Sequence, residues 1–221
     1  MRTILVVVAA VALAFAERAR AADEAFELWF NPAFVLGVND RGTSLELETA
    51  QRFRDGDDGR VDTYFARGWV NQDVGDYLTV SAAVEQRIND GGPEETRLHQ
   101  QLSGKYDLLR TRLRLEERFV DGADNVGLRL RPRLGVSVPI ADEGRWDGWS
   151  FKTDAELFLT LEPNNDGGDH GLTGLRTQIG FEYDVSETLS VSLVYLRQQD
   201  FEDDGPDQIG HAPLIGVEFR F

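Results

Sequence analysis

Leu109-Arg110-Thr111-Arg112-Leu113-Arg114-Leu115-Glu116-Glu117-Arg118-Phe119 is the stretch that decides how this chain folds. Arg110, Arg112, Arg114, Glu116 and Arg118 share one parity, and Leu109, Thr111, Leu113, Leu115 and Phe119 share the other, interrupted only by Glu117. Side chains alternate faces along a strand, so a period of two makes one charged face and one apolar face. A helix would scatter the same charges around its circumference.

The pattern continues on both sides. Arg129, Arg131 and Arg133 oppose Leu128, Leu130, Leu134, Val136 and Val138. Lys152, Asp154, Glu156 and Glu162 oppose Phe151, Leu157, Leu159 and Leu161. Arg176, Gln178, Glu182 and Asp184 oppose Thr177, Ile179, Phe181 and Tyr183. Eleven such segments are predicted, at 26–38, 43–53, 61–71, 77–88, 96–106, 108–120, 126–140, 149–162, 171–185, 188–199 and 211–221. They run 11 to 15 residues, whereas soluble strands average ~5–6 and a tilted membrane strand needs ~9–11. A soluble antiparallel sandwich also has one-sided strands, but not strands this long. Short connections (Asp107, Ser186-Glu187) alternate with longer acidic ones (54–60, 89–95, 163–170, 200–210), as in outer-membrane barrels. The expected fold is therefore all-β, an up-and-down antiparallel transmembrane β-barrel of about 10–12 strands. Single-chain bacterial barrels use even counts. Either the first segment breaks at Asn31-Pro32, giving twelve, or it is not a full strand, giving ten. Twelve is the preferred count, because proline belongs at breaks and edges.

Residues 1–21 have the pattern of a cleaved signal peptide. Arg2 precedes an apolar run at 4–16, Glu17 and Arg18 end it, and Ala19-Arg20-Ala21 offers a small-x-small cleavage site. The run is too short for a membrane-spanning helix of ~20 residues. With no Cys anywhere, a lipoprotein anchor, disulfides and thiolate metal sites are excluded. Removing residues 1–21 takes the formal net charge from −16 to −18, because three Arg and one Glu leave. So acidic a domain, 22–221, is a poor partner for nucleic acid. The expected location is the outer membrane of a Gram-negative bacterium. Outer-membrane lipid and the barrel-assembly machinery are the expected partners. Phe221, preceded at period two by Phe219 and Val217, is the expected assembly signal.

The strongest candidate constellation is a lumen charge network of Arg110, Arg112, Arg114, Glu116, Arg118, Arg129, Arg131, Arg133, Asp154, Glu156, Arg176, Glu182 and Glu218. Arginine suits it because the planar guanidinium stays charged and binds carboxylates bidentately. Such groups either crosslink into a polar core or line an anion-attracting pore. No cofactor, metal or catalytic residue is expected. His99, His170 and His211 form no metal spacing, and no phosphate-binding loop, HExxH or GxSxG occurs. His99 lies on the inward parity with Arg97, Gln101 and Ser103, which invites comparison with small outer-membrane lipid hydrolases. No orienting acid or oxyanion motif accompanies it. The acidic runs Asp55-Gly56-Asp57-Asp58, Asn164-Asn165-Asp166 and Glu202-Asp203-Asp204 lack the spacing of a calcium loop.

Several of these stretches together resemble the outer-membrane family filed as domain of unknown function 2490. They are Glu27-Leu28-Trp29, the charged run Arg110 to Phe119, Leu130-Arg131-Pro132-Arg133-Leu134, Asp154-Ala155-Glu156-Leu157-Phe158, Asn164-Asn165, Arg176-Thr177-Gln178-Ile179-Gly180, Leu193-Val194-Tyr195 and Phe221. Asn31-Pro32 departs from the pattern. The resemblance implies an outer-membrane barrel with no established activity. The function expected is that of a non-catalytic barrel, either a narrow, porin-like pore or a sealed structural or binding barrel. The alternative is a small outer-membrane enzyme acting on lipid, of the lipid A deacylase or phospholipase type.

Overall fold

The alternating segments form strands of twelve to seventeen residues. A computed structural model describes residues 23–56, 59–141, 143–202 and 205–221. The expected signal segment 1–21 lies outside them, as do Asp57, Asp58, Asp203 and Asp204. The elements are β1 (Asp23–Asn39), β2 (Thr43–Gly56), the two-residue β3 (Gly59–Arg60), β4 (Thr63–Val74), β5 (Leu78–Asn89), β6 (Glu95–Tyr106), β7 (Leu109–Val120), β8 (Gly127–Pro139), β9 (Trp149–Glu162), β10 (Gly171–Ser186), β11 (Leu189–Asp200) and β12 (Gln208–Arg220). β3 only extends the hairpin arm of β2. The other eleven strands pair with their sequence neighbours and close on themselves through β1 and β12.

The all-β up-and-down barrel is thus the observed fold, but its strand number is odd. Each hairpin reverses direction, so after eleven strands the last points the same way as the first. Closure therefore requires a parallel ladder, and β1 pairs with β12 in parallel from Asp23↔Gln208 to Val35↔Arg220. The expected break at Asn31-Pro32 does not occur, which corrects the preferred count of twelve. The β1–β2 ladder skips these two residues, while β12 pairs through both, Asn31 with Gly216 and Pro32 with Val217. Two other prolines behave alike. The β8–β9 ladder skips Pro132, which β7 retains opposite Leu113. The β1 ladder skips Pro213, which β11 retains opposite Tyr195. Each missing N–H is thereby confined to one side of its strand.

The connections alternate. One end carries the tight turns at 40–42, 75–77, 107–108 and 187–188, with Asp107 at a φ of 51°. The same end also holds one longer connection, 140–148, which contains a 3-10 turn at Gly144–Trp146. The opposite end carries the loops 61–62, 90–94, 121–126, 163–170 and 201–207. Along β5 the pattern is strict: Ser81, Ala83, Glu85 and Arg87 are buried, while Val80, Val84 and Ile88 are exposed. Burial here means facing the lumen. Among the described residues the only apolar core cluster is Trp29, Leu196 and Ala212 with Leu214 against it. Fully buried Glu85, Glu116, Glu156 and His99 occupy the place of a hydrophobic interior.

Candidate lumen site

Sheet register puts the charged parity of each strand beside that of the next. On one row Arg112 opposes Arg133, Arg133 opposes Glu156, Glu156 opposes Arg176, and Arg176 opposes Gln198. Arg114 opposes Arg131, and Arg97 opposes Arg118. Like charges directly opposite destabilise a sheet, so carboxylates must stand between them. Four buried glutamates, Glu85, Glu95, Glu116 and Glu156, supply the negative charge, and three of them act as hubs.

Glu156 accepts Nε and Nη2 of Arg131 at 3.1 and 2.7 Å and a hydrogen bond from Arg112, with Arg176 at 3.7 Å. Glu116 accepts Nη1 of Arg131 at 2.5 Å and both Nε and Nη2 of Arg129 at 2.9 and 2.7 Å. Arg131 therefore ties two of the three hubs together. Glu85 accepts from Arg67 and Arg87, with Arg97 at 3.7 Å. Arg67 reaches on to Glu48 at 2.7 Å, and Glu95 accepts from Arg97 and from Arg118 Nε, the latter at 2.6 Å. Forked guanidiniums bridging carboxylates are the strongest geometry for such pairs.

Of the residues singled out in the sequence, Arg112, Glu116, Arg118, Arg129, Arg131, Glu156 and Arg176 lie in this network. Arg133 and Asp154 form a pair at its side that also reaches Gln178. Arg114 faces the lumen but donates only to Gln101, at 2.9 Å. Glu182 pairs with Lys152 instead. Two others line the lumen cavities outside the network. Arg110 sits at the rim, where the tight turn presents its carbonyls, and it donates to Asp107 and Leu109 at 2.6 and 2.9 Å. Glu218 pairs with Arg220, two residues along its own strand, at 2.6 Å. The last-strand residues line the seam. Phe219 stacks on Phe34 of β1 with centroids 5.3 Å apart, Val217 opposes Pro32, and Phe221 exchanges backbone hydrogen bonds with Val35 and Gly37.

Read outward from β7, the sequence left unassigned the half of the network on β2, β4, β5 and β6, namely Glu48, Arg67, Glu85, Arg87 and Glu95, and it set Arg97 on the inward parity without joining it to the network. The inward parity of each strand carried that signal. It also missed the aromatics that share this parity. Arg52 lies 3.7 Å over the Trp29 ring, Arg114 4.9 Å over Trp69, and Arg131 4.6 Å over Phe158. Cations on ring faces gain attraction once desolvated.

His99 is closed into the network. Its Nε2 lies 3.5 Å from Glu85 and its Nδ1 3.6 Å from Glu116, beyond hydrogen-bond geometry, and neither nitrogen has another partner among the described residues. Both carboxylates are occupied by arginines, and Ser103 is bonded to Gln101. This arrangement offers no Ser-His pair.

The network fills the β4–β9 side of the lumen and leaves a cavity of about 650 Å³ beside it. Ten arginines and four carboxylates, Glu46, Glu48, Asp200 and Glu218, line this cavity. Across from them the wall is thin, with Ala33, Ser192 and Gly216. A second cavity of about 660 Å³ at the turn end shares Gln101, Arg112 and Arg133 with it. A third, of about 460 Å³ at the loop end, shares Trp29, Arg52, Gln198 and Asp200. The three cavities therefore lie in series along the barrel.

The family model described as "Protein of unknown function (DUF2490)" matches residues 26–209. The chain belongs to this family. The chain is also similar to an uncharacterized protein of Methylorubrum extorquens, 28% identical over 204 residues that span 88% of this chain and 87% of that protein. The matched region runs from β1 into β12, so it takes in every hub of the network.

Proposed function

We propose that this DUF2490 protein is a non-catalytic outer-membrane barrel that forms a narrow, anion-preferring passage. The observation that carries the reading is the chain of three lumen cavities, the middle one lined by ten guanidiniums. Rings of charged side chains set ion preference in pores, and a low-dielectric wall strengthens their field.

The membrane part of the reading is supported by the outward face. Leu45, Leu47, Val70, Val80, Val84, Leu113, Leu134, Ile179, Phe181 and Leu193 are all exposed, on strands long enough to cross a bilayer. A closed barrel leaves no unpaired edge for lipid to meet. Export on a cleaved leader and insertion by the assembly machinery, through Val217, Phe219 and Phe221, belong to the same reading.

The test is reconstitution of the full-length protein in planar bilayers under a potassium chloride gradient. A small unitary conductance with a reversal potential on the chloride side is the expected result. Silence in bilayers, from a barrel that shows heat-modifiable gel migration, overturns the passage. Recovery from cells as a soluble periplasmic protein overturns the membrane assignment.

A further inference from the structure

The charge network leaves some guanidiniums over. Arg52 of β2 makes no carboxylate contact among the described residues, and its buried Nε has no hydrogen-bond partner. Arg176 of β10 donates Nε, at 3.1 Å, and Nη2 to Gln198, and its Nη1 stands 3.7 Å from Glu156, which two other arginines already hold. The two meet at one indole: Arg52 lies 3.7 Å and Arg176 5.1 Å from the Trp29 ring centroid. A guanidinium stacked by its face keeps its edge donors for a ligand.

The two carboxylates close by have their oxygens engaged by other groups, although the partner of Asp200 is a neutral amide that does not offset its charge. Asp200 accepts two hydrogen bonds from Gln198, at 3.0 and 2.8 Å. Glu27 accepts the Trp29 indole N–H and lies 3.7 Å from Arg54. Arg87, Arg97 and Arg176 line the central cavity together with Arg52, where Glu27 and Asp200 offset only part of their charge, and the buried Nε of Arg97 also lacks a hydrogen-bond partner. Cations confined together in excess of their counter-ions are unfavourable. Trp29 and Arg52 also belong to both the central and the loop-end cavity, so an ion passing between the two must pass them.

We infer that the junction of the central and loop-end cavities at Trp29 is a saturable binding site for a small polyvalent oxyanion, held by the fork of Arg52 and the outer Nη edge of Arg176. Phosphates and polycarboxylates share the required chemistry, several oxygens able to accept paired N–H donors. Chloride brings a single charge on one atom and cannot bridge the two guanidiniums as several oxygens can, so it is expected to be displaced. The inference rests on the lumen passage proposed above, and its test separates the two.

The experiment is calorimetric titration of the refolded full-length barrel with pyrophosphate and, separately, citrate, at an ionic strength fixed with chloride. The same anions are then added to one side of the bilayer during chloride conduction. Saturable binding of at least one anion is expected, with block of the chloride current at the same concentrations. Arg52→Gln and Arg176→Gln each weaken binding about ten-fold or more, the scale of one lost charged hydrogen bond. Arg145→Gln, in the turn outside the lumen, leaves it unchanged. If neither anion binds saturably to a heat-modifiable, folded barrel, the site is wrong even where chloride passes. If Arg52→Gln and Arg176→Gln bind as the parent does, the site is also wrong. Saturable binding by a barrel that is silent in bilayers supports the site and overturns the passage.

Discussion

The β4–β9 wall and the wall made by β10, β11, β12 and β1 follow the same rule of alternation and use their inward positions in opposite ways. The first fills them with Arg, Glu, His and large aromatics that crosslink through Glu85, Glu116 and Glu156. The second places Gly180, Ser190, Ser192, Gly216 and Ala33 on its turn-end half, keeps Trp29, Arg176, Leu196 and Leu214 for its loop-end half, and closes by a parallel ladder. The first wall resembles a protein core in which charge neutralisation replaces apolar burial. The second leaves room, and the cavity lies against it. A narrow barrel can therefore be rigid and hollow at once, provided that the rigid part is confined to one side.

If this contrast is right, the largest effects come from removing a hub. Glu156→Gln leaves Arg112, Arg131 and Arg176 short of a counter-charge. It should destabilise the refolded barrel by roughly 3–5 kcal/mol, the scale for breaking a buried pair, and Glu85→Gln should do the same. Denaturant unfolding in detergent measures both. A loss under about 1 kcal/mol means that the hubs are solvated and the packed wall is not a core.

The arginines themselves divide in the same way. Arg131→Gln breaks contacts to two hubs and should also cost roughly 3–5 kcal/mol. Arg52→Gln breaks no carboxylate pair, should change stability by no more than about 1 kcal/mol, and should reduce anion preference. Equal losses in the two variants would erase the distinction between structural and spare guanidiniums.

Ser192→Phe addresses the thin wall. A phenyl group there projects into the central cavity, so unitary conductance should fall while the unfolding midpoint hardly moves. An unchanged conductance would mean that ions take another route. The smallest effect is expected at the seam. Phe219→Ala removes the ring stacked on Phe34 and should cost about 1 kcal/mol, the order of one aromatic pair, seen as a slightly lower melting temperature.

Much of this was legible along the chain. Period two separated Arg112, Arg114, Glu116, Arg129, Arg131 and Glu156 from the outward Leu and Val, because strand geometry alone assigns alternate residues to opposite faces. The same local rule explains why Arg67, Glu85 and Arg97 were equally readable once their parity was followed. It did not distinguish Arg110 at the rim from Arg112 in the network, since parity carries no information about depth.

Sequence by itself therefore determined an all-β chain with long strands, one charged face and one apolar face. Closure decided the rest. That β1 passes Pro32 unbroken, that eleven strands meet in a parallel seam, and that Arg131 reaches both Glu116 and Glu156 depend on register around the whole circle. No local stretch encodes that register, because each hairpin fixes only its own pair and the sum appears when the last strand meets the first. The same sum decides which guanidiniums find a carboxylate and which, like Arg52, face the cavity without one.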